Sequence, residues 1–288
     1  MVLLWTTIHD AAMAGDLDLV KIYISNGVNV NDVNWNGDTP LHLAARQGHF
    51  EMIQYLVGEC KASIHTPNHA SETPLHIAAR WDHFRVVKYL VAHGASVNTR
   101  NHDLDTPLHL AAARDRLDIL KYLVENGKAL INAMNHSGDT PLHYAVLHDH
   151  LKVVKYLVAN GAFVNAKNNK GDAPLHIALR WDNIHVIQYL VEVCKAFVHT
   201  KNNKGDTPLH VGARWGRLVS VKYLVEIGNT NIFMRNTAGA FPSQLAHGTA
   251  VFEYLNTCVR EQTLTAARNV LEKLPDDVFM YLTIFLSV

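Results

Sequence analysis

An all-α solenoid of stacked helix–turn–helix units is the fold class predicted from three features of the chain. A tetrapeptide recurs at a nearly fixed interval, a pair of small residues follows it, and an apolar stripe of helical period follows the pair. Thr-Pro-Leu-His begins at Thr39, Thr73, Thr106, Thr140 and Thr207, and Ala-Pro-Leu-His begins at Ala173. The prolines of these tetrapeptides are spaced alternately by 33 and 34 residues. A period of that length marks supersecondary units that cannot bury their apolar faces alone and so stack on one another. Such a chain grows by adding layers, which argues against a compact enzyme core.

Each element of the unit has a local cause. In the copy from Gly37 to Lys61, Thr39 is placed to cap free amides and Pro40 takes the first helical position, where a missing N–H costs nothing. The small Ala44 and Ala45 let a second helix approach, and Gly48-His49 ends the first helix in a short turn. Phe50, Ile53, Leu56 and Val57 then fall on one stripe of a second helix. An extended loop, Ala62 to Thr66, leads to the next turn at Asn68. The second-helix pattern returns as Val86-Val87-Lys88-Tyr89-Leu90-Val91 and Val153-Val154-Lys155-Tyr156-Leu157-Val158.

The sequence Gly-Asp-Thr-Pro-Leu-His, then Ala-Ala, then Val-Val-Lys-Tyr-Leu-Val, then Gly-Ala-x-Val-Asn resembles the ankyrin repeat. A degenerate first copy is read at Ile8-His9-Asp10-Ala11-Ala12 and a shortened last copy from Gly239 to Leu255, where Pro242, Leu245 and Ala246 stay in register. Eight units are therefore expected from near Trp5 to about Thr257. The domain reading is an ankyrin-repeat array over 1–257 and a C-terminal helical segment over 258–288. The resemblance implies a binding scaffold. It also implies that the histidines at the repeat position (His9, His42, His76, His109, His143, His176 and His210) bond local backbone and tie neighbouring units.

Composition narrows the partners. Lys+Arg and Asp+Glu are equal at 26 each, so no net field draws the chain to nucleic acid or to a membrane, and a basic binding stripe is not the expectation. Cys60, Cys194 and Cys258 form no metal-binding or disulfide framework. Neither a secretion signal nor a bilayer-spanning run is read, which points to the cytoplasm or nucleus. Others, such as His49, His83 and His150, fall in the inter-helix turn, and no zinc spacing appears among the histidines. No nucleophile elbow, phosphate loop or dinucleotide fingerprint is present. No enzyme activity, metal or cofactor is expected.

Partner-binding residues should lie where the repeats vary, and the resemblance to ankyrin arrays implies that these are the loop tips before Thr-Pro and the positions after the small pair. The tryptophans concentrate there. Trp35 is at a loop tip, and Arg80-Trp81, Arg180-Trp181 and Arg214-Trp215 each follow the small residues. Tryptophan and arginine are the residue types most enriched at interface hot spots. These residues are the expected contacts for a protein target on the concave face. Tyr55, Tyr89, Tyr122, Tyr156, Tyr189 and Tyr223 recur at one second-helix position and are read as packing residues.

Beyond Thr257 the period stops. Leu264, Ala267, Val270 and Leu274 are spaced so that a helix over 261–273 would cover the last repeat. The run Leu274-Pro275-Asp276-Asp277-Val278 opens a further apolar helix that continues past Leu282 and Leu286. It resembles the start of an F-box, with Leu274, Pro275, Val278, Leu282 and Leu286 in place and Asp277 standing for the usual Glu. A short C-terminal F-box-like (PRANC-type) segment behind ankyrin repeats is similar to the arrangement in poxviral ankyrin proteins and in ankyrin effectors of intracellular bacteria. That resemblance implies a Skp-type adaptor of a cullin–RING ubiquitin ligase as a second partner and, for an effector, the host cytosol as its place of action. The other reading is an ankyrin scaffold that masks its partner by occupancy, the tail only capping the array.

Overall fold

A computed structural model describes residues 7–271. Among them the chain is helical throughout, with no strand, and the helices come in antiparallel pairs. The pairs are α1 Ile8–Ala14 with α2 Leu17–Ser25, α3 Pro40–Gln47 with α4 Phe50–Gln54, and α5 Pro74–Arg80 with α6 Phe84–Ala92. Next come α7 Pro107–Ala113 with α8 Leu117–Glu125, α9 Pro141–Leu147 with α10 Leu151–Ala159, and α11 Pro174–Trp181 with α12 Ile184–Gln188. The last are α13 Pro208–Arg214 with α14 Leu218–Glu226, and the short α15 Pro242–Leu245 with the long α16 Thr249–Leu271. Each first helix packs on the first helices before and after it, and successive second helices stack behind them.

One core runs the length of the stack. Leu41, Leu75, Leu108, Leu142, Leu175 and Leu209 line it from the first helices, and Ile53, Val87, Leu120, Val154, Ile187 and Val221 from the second. The repeated tyrosines are partly buried against that core, as expected. Several also bond backwards along the stack. The Tyr156 hydroxyl donates to Glu125 at 2.9 Å, Tyr223 to Glu192 at 2.7 Å and Tyr254 to Glu226 at 3.0 Å.

The repeat-position histidines fasten each layer to the next. The Thr39 backbone N–H and hydroxyl both reach His42 Nδ1, at 3.1 and 2.8 Å. A backbone N–H can only donate, so Nδ1 carries no proton, and the Nε2 proton is donated to the Glu72 carbonyl of the next repeat at 3.0 Å. His76, His109, His143, His176 and His210 reach the carbonyls of Asp105, Asp139, Asp172, Asp206 and Ala240 in the same way. His9 begins the column on the carbonyl of Asp32 at 2.9 Å. At Ala173 the hydroxyl is missing and only the backbone half of the cap remains. The turn histidines form a second column that points the other way. His49, His83 and His150 each use Nε2 on a carbonyl of the preceding repeat, that of Met13, Arg46 and Ala113 respectively.

The two repeat lengths have a structural cause. In the shorter units Gly94 and Gly161 take left-handed φ (96° and 92°), and Ala95 and Ala162 bond back to Leu90 and Leu157. In the longer units an extra residue enters behind the second helix. Tyr55–Glu59 and Tyr189–Val193 become π-helical turns, and Cys60 and Cys194 bond back to Tyr55 and Tyr189. The left-handed position then falls to Lys61 and Lys195, and likewise to Lys128 and Asn229 in the other two.

At the C-terminal end, α16 runs unbroken from Thr249 to Leu271. Val251 and Leu255 are buried on the last repeat. From Arg260 to Asn269 every residue of the helix is exposed, and Leu264 is 70% exposed. The expectation that Leu264 and Ala267 cover the last repeat is therefore corrected: the helix axis carries them past it. Trp5 and the candidate adaptor-binding residues Leu274, Pro275, Asp277, Val278, Leu282 and Leu286 lie outside the described residues.

Candidate functional site

Between the helix pairs the chain extends into turns, here called fingers, each closed by an asparagine. Asn68 Oδ1 accepts from the backbone N–H of Ala70 and of Glu72, and Asn34, Asn135, Asn168, Asn202 and Asn236 repeat the arrangement. The same side chain also binds across the layers: Asn202 Nδ2 donates to Asp172 at 2.7 Å and Asn236 Nδ2 to Asp206 at 2.8 Å. Backbone bonds join neighbouring tips, as from Asn203 N–H to the Lys170 carbonyl at 3.1 Å. The fingers are thus stapled into a continuous surface beside the first helices.

The arginines picked out by the sequence are anchored to that surface. Arg180 Nη2 donates to Asp172 at 2.9 Å and Arg214 Nη2 to Asp206 at 2.9 Å, and Arg80 pairs with Glu72. The acids are buried under the fingers, and the arginine side chains remain partly exposed. Each arginine therefore neutralises a buried carboxylate of its own repeat while still facing solvent. Arg46 does the same for Asp38 at 3.2 Å, and the sequence gives it no Arg-Trp signal, because Gln47 follows it.

The indoles stand beside these pairs without stacking on them. Trp81 and Trp215 cap α5 and α13, and Trp181 ends α11. They are 52%, 51% and 54% exposed, and Trp35, at a finger tip, is 85% exposed. Among the described residues no guanidinium lies over an indole; the arginine–aromatic contacts are Arg85 over Phe50 and Arg235 over Phe241.

Two clefts open on this face. One, of about 740 Å³, is lined by Trp35 and Arg46 with Met13, Tyr23 and Leu43. The other, of about 530 Å³, brings together Arg180, Arg214 and Trp215 with Lys170, Lys204 and Val211. Trp81 and Trp181 line neither, so the predicted residues form separate anchors along the array and do not meet in one pocket. The lysines were missed; their signal is the segment Lys-Asn-Asn-Lys-Gly-Asp, present both at 167–172 and at 201–206.

Between the Arg-Trp units the pattern breaks. Asp105 is buried, but Ala113 stands where four of the other first helices carry Arg46, Arg80, Arg180 and Arg214. Tyr144, at a position that is Ile77 or Ile177 elsewhere, reaches back to Asp105 at 3.3 Å, and Asn135 Nδ2 donates to the same carboxyl at 2.9 Å. Burial pushes the Asp105 carboxyl above its ordinary value, and these two bonds oppose the shift.

The described residues include no group of three or more His, Cys, Asp or Glu placed to hold a metal ion, and none of their helices is long and apolar enough to cross a membrane. Both nitrogens of each repeat-position histidine from His42 to His210 are already engaged. What the face offers is aromatic area, partly exposed arginine side chains and ammonium groups.

Similarity to known proteins follows the repeats. A Notch-regulated ankyrin repeat-containing protein of Xenopus tropicalis is 34% identical over 58 residues, which are 20% of this chain and 51% of that protein. The palmitoyltransferase ZDHHC17 of Homo sapiens is 45% identical over 53 residues, 18% of this chain and 8% of that enzyme. The match thus spans about half the length of the first relative and a small part of the second. Three copies of a family model described as ankyrin repeats match residues 8–101, 97–168 and 163–235, the same stretch in which the histidine and asparagine columns run, and the chain belongs to the ankyrin-repeat family.

Proposed function

We propose that this protein is a protein-binding adaptor that holds its target on the finger and first-helix face of the array. The observation that supports this most is the exposure of Trp35, Trp81, Trp181 and Trp215 on a surface whose backbone and arginines are otherwise fixed by hydrogen bonds. Large aromatic residues presented on a rigid frame lose little conformational entropy when a partner covers them. The reading assigns no reaction to the chain, and the palmitoyltransferase likeness extends over only a small part of that enzyme.

The second arm of the proposal is recruitment of a Skp-type adaptor of a cullin–RING ligase through Leu274, Pro275, Asp277, Val278, Leu282 and Leu286. It rests on the F-box-like spacing. The exposure of α16 from Arg260 to Asn269 favours it over a capping role, because those residues do not cover the last repeat. Target capture at one end and ligase docking at the other raise the effective concentration of the target near the ubiquitin-loading machinery. As an effector, the protein would do this in the host cytosol.

Titration of the full chain against a purified Skp-type adaptor tests the second arm. Leu274→Ala with Pro275→Ala should abolish binding while circular dichroism of the array stays unchanged. Binding retained at full strength would overturn the ligase assignment and leave the occupancy reading.

A further inference from the structure

The sixth and seventh repeats carry a local charge that the balanced composition conceals. Their fingers present Lys167, Lys170, Lys201 and Lys204, all exposed, and Arg235 follows on the next finger. The acids on the same stretch, Asp172 and Asp206, are buried, and each is bonded to an arginine and to an asparagine. They therefore cancel Arg180 and Arg214 and leave the lysines in excess. Lys167 Nζ is tied to the Lys201 carbonyl at 2.7 Å and Lys201 Nζ to the Arg235 carbonyl at 2.8 Å, which fixes the row of charges. Lys170 and Lys204 have no side-chain partner among the described residues, and both line the 530 Å³ cleft beside the half-exposed Trp215 and beside Val211.

We infer that this cleft binds an extended acidic peptide, with carboxylates meeting Lys170 and Lys204 and an apolar side chain lying against Trp215. The inference rests on the reading that this face receives a protein partner, and it names the chemistry of that partner. Spacing supports it. Equivalent residues of neighbouring repeats are about 10 Å apart, the interaxial distance of packed helices. A polyproline-type extended chain returns to the same side every third residue, a rise of about 9 Å. Acidic residues at i and i+3 of such a peptide therefore match the two lysines. Nucleic acid is disfavoured, since its affinity comes from neutralising many phosphates, and only these two ammonium groups in the cleft are uncommitted.

The test uses the full chain and fluorescence anisotropy with three labelled probes: a peptide with Glu at every third position and one Leu, its Gln counterpart, and an oligothymidine. The acidic peptide should bind at least tenfold more tightly than the Gln peptide, and its affinity should fall as salt is raised. Lys170→Glu with Lys204→Glu should remove that preference, and Lys155→Glu, on the second-helix side, should leave it unchanged. Equal binding of both peptides, lost in Trp215→Ala, would overturn the acidic inference and keep the face as a protein-binding surface. Binding of neither peptide, or binding indifferent to both Trp215 and the lysines, would overturn the inference and count against the face itself. Lysine-dependent binding of oligothymidine without peptide binding would replace it with a nucleic-acid site.

Discussion

Asp105 shows how a single residue holds together a broken column. Asp38, Glu72, Asp172 and Asp206 each meet an arginine eight residues on, but Asp105 meets Ala113 and instead receives the Tyr144 hydroxyl from the following repeat. A buried carboxylate that loses a donor keeps its desolvation penalty, so Tyr144→Phe should cost about 1–2 kcal/mol of stability. Restoring the usual pattern should offset that loss: Ala113→Arg is expected to stabilise Tyr144→Phe by more than it stabilises the parent. A double-mutant cycle by urea denaturation reads the coupling. Additive effects would show that Tyr144 does not substitute for the missing guanidinium. This substitution was not legible in advance, because Tyr144 and Ala113 lie in different repeats and each looks like ordinary drift within its own.

At the scale of the element, the two repeat lengths were plain in the proline spacing, but the site of the extra residue was not. The apolar stripe of the second helix reads the same in both kinds, although two of the longer units turn π-helical within it, from Tyr55 and Tyr189, and Lys61, Lys128, Lys195 or Asn229 then takes the left-handed position that glycine holds in the shorter units. A side chain there costs roughly 1 kcal/mol relative to glycine. Lys195→Gly should therefore raise the melting temperature, and Gly161→Ala should lower it by a comparable amount, since an added Cβ at Gly161 meets nothing within 4 Å and only backbone strain remains. Thermal melts of the two variants check the pair; a fall in both would show that the lysine stem contributes packing that outweighs the strain. Helix α16 carries the opposite lesson. Its spacing of Leu264 and Ala267 suits burial, but periodicity shows only which residues share a face and not whether a neighbour reaches that far.

Across the whole molecule, stability is a chain of nearest-neighbour ties, and the repeat-position histidines supply one at each joint. The tetrapeptide made the joints countable from sequence; how each repeat-position histidine fastens its joint is revealed only by the paired Nδ1 and Nε2 bonds. Those bonds hold the imidazoles neutral. Burial lowers His42, His76, His109, His143, His176 and His210 below the ordinary value of 6.5, His76 and His109 to about 4. The unfolded chain therefore binds more protons than the folded one below pH 6.5. The histidine contribution is complete above that pH and is lost as the pH falls towards about 4, at up to about 1.4 kcal/mol per pH unit for each histidine. Asp105, with its raised carboxyl, acts in the opposite sense, but it is one group against six. Melting temperature should accordingly hold near neutrality and drop steeply between pH 6.5 and 4.5, and folding titrated across that window should release more than one proton. A flat profile over the same range would mean that the imidazoles can be protonated inside the folded stack, and the joints would then have to be held by packing alone.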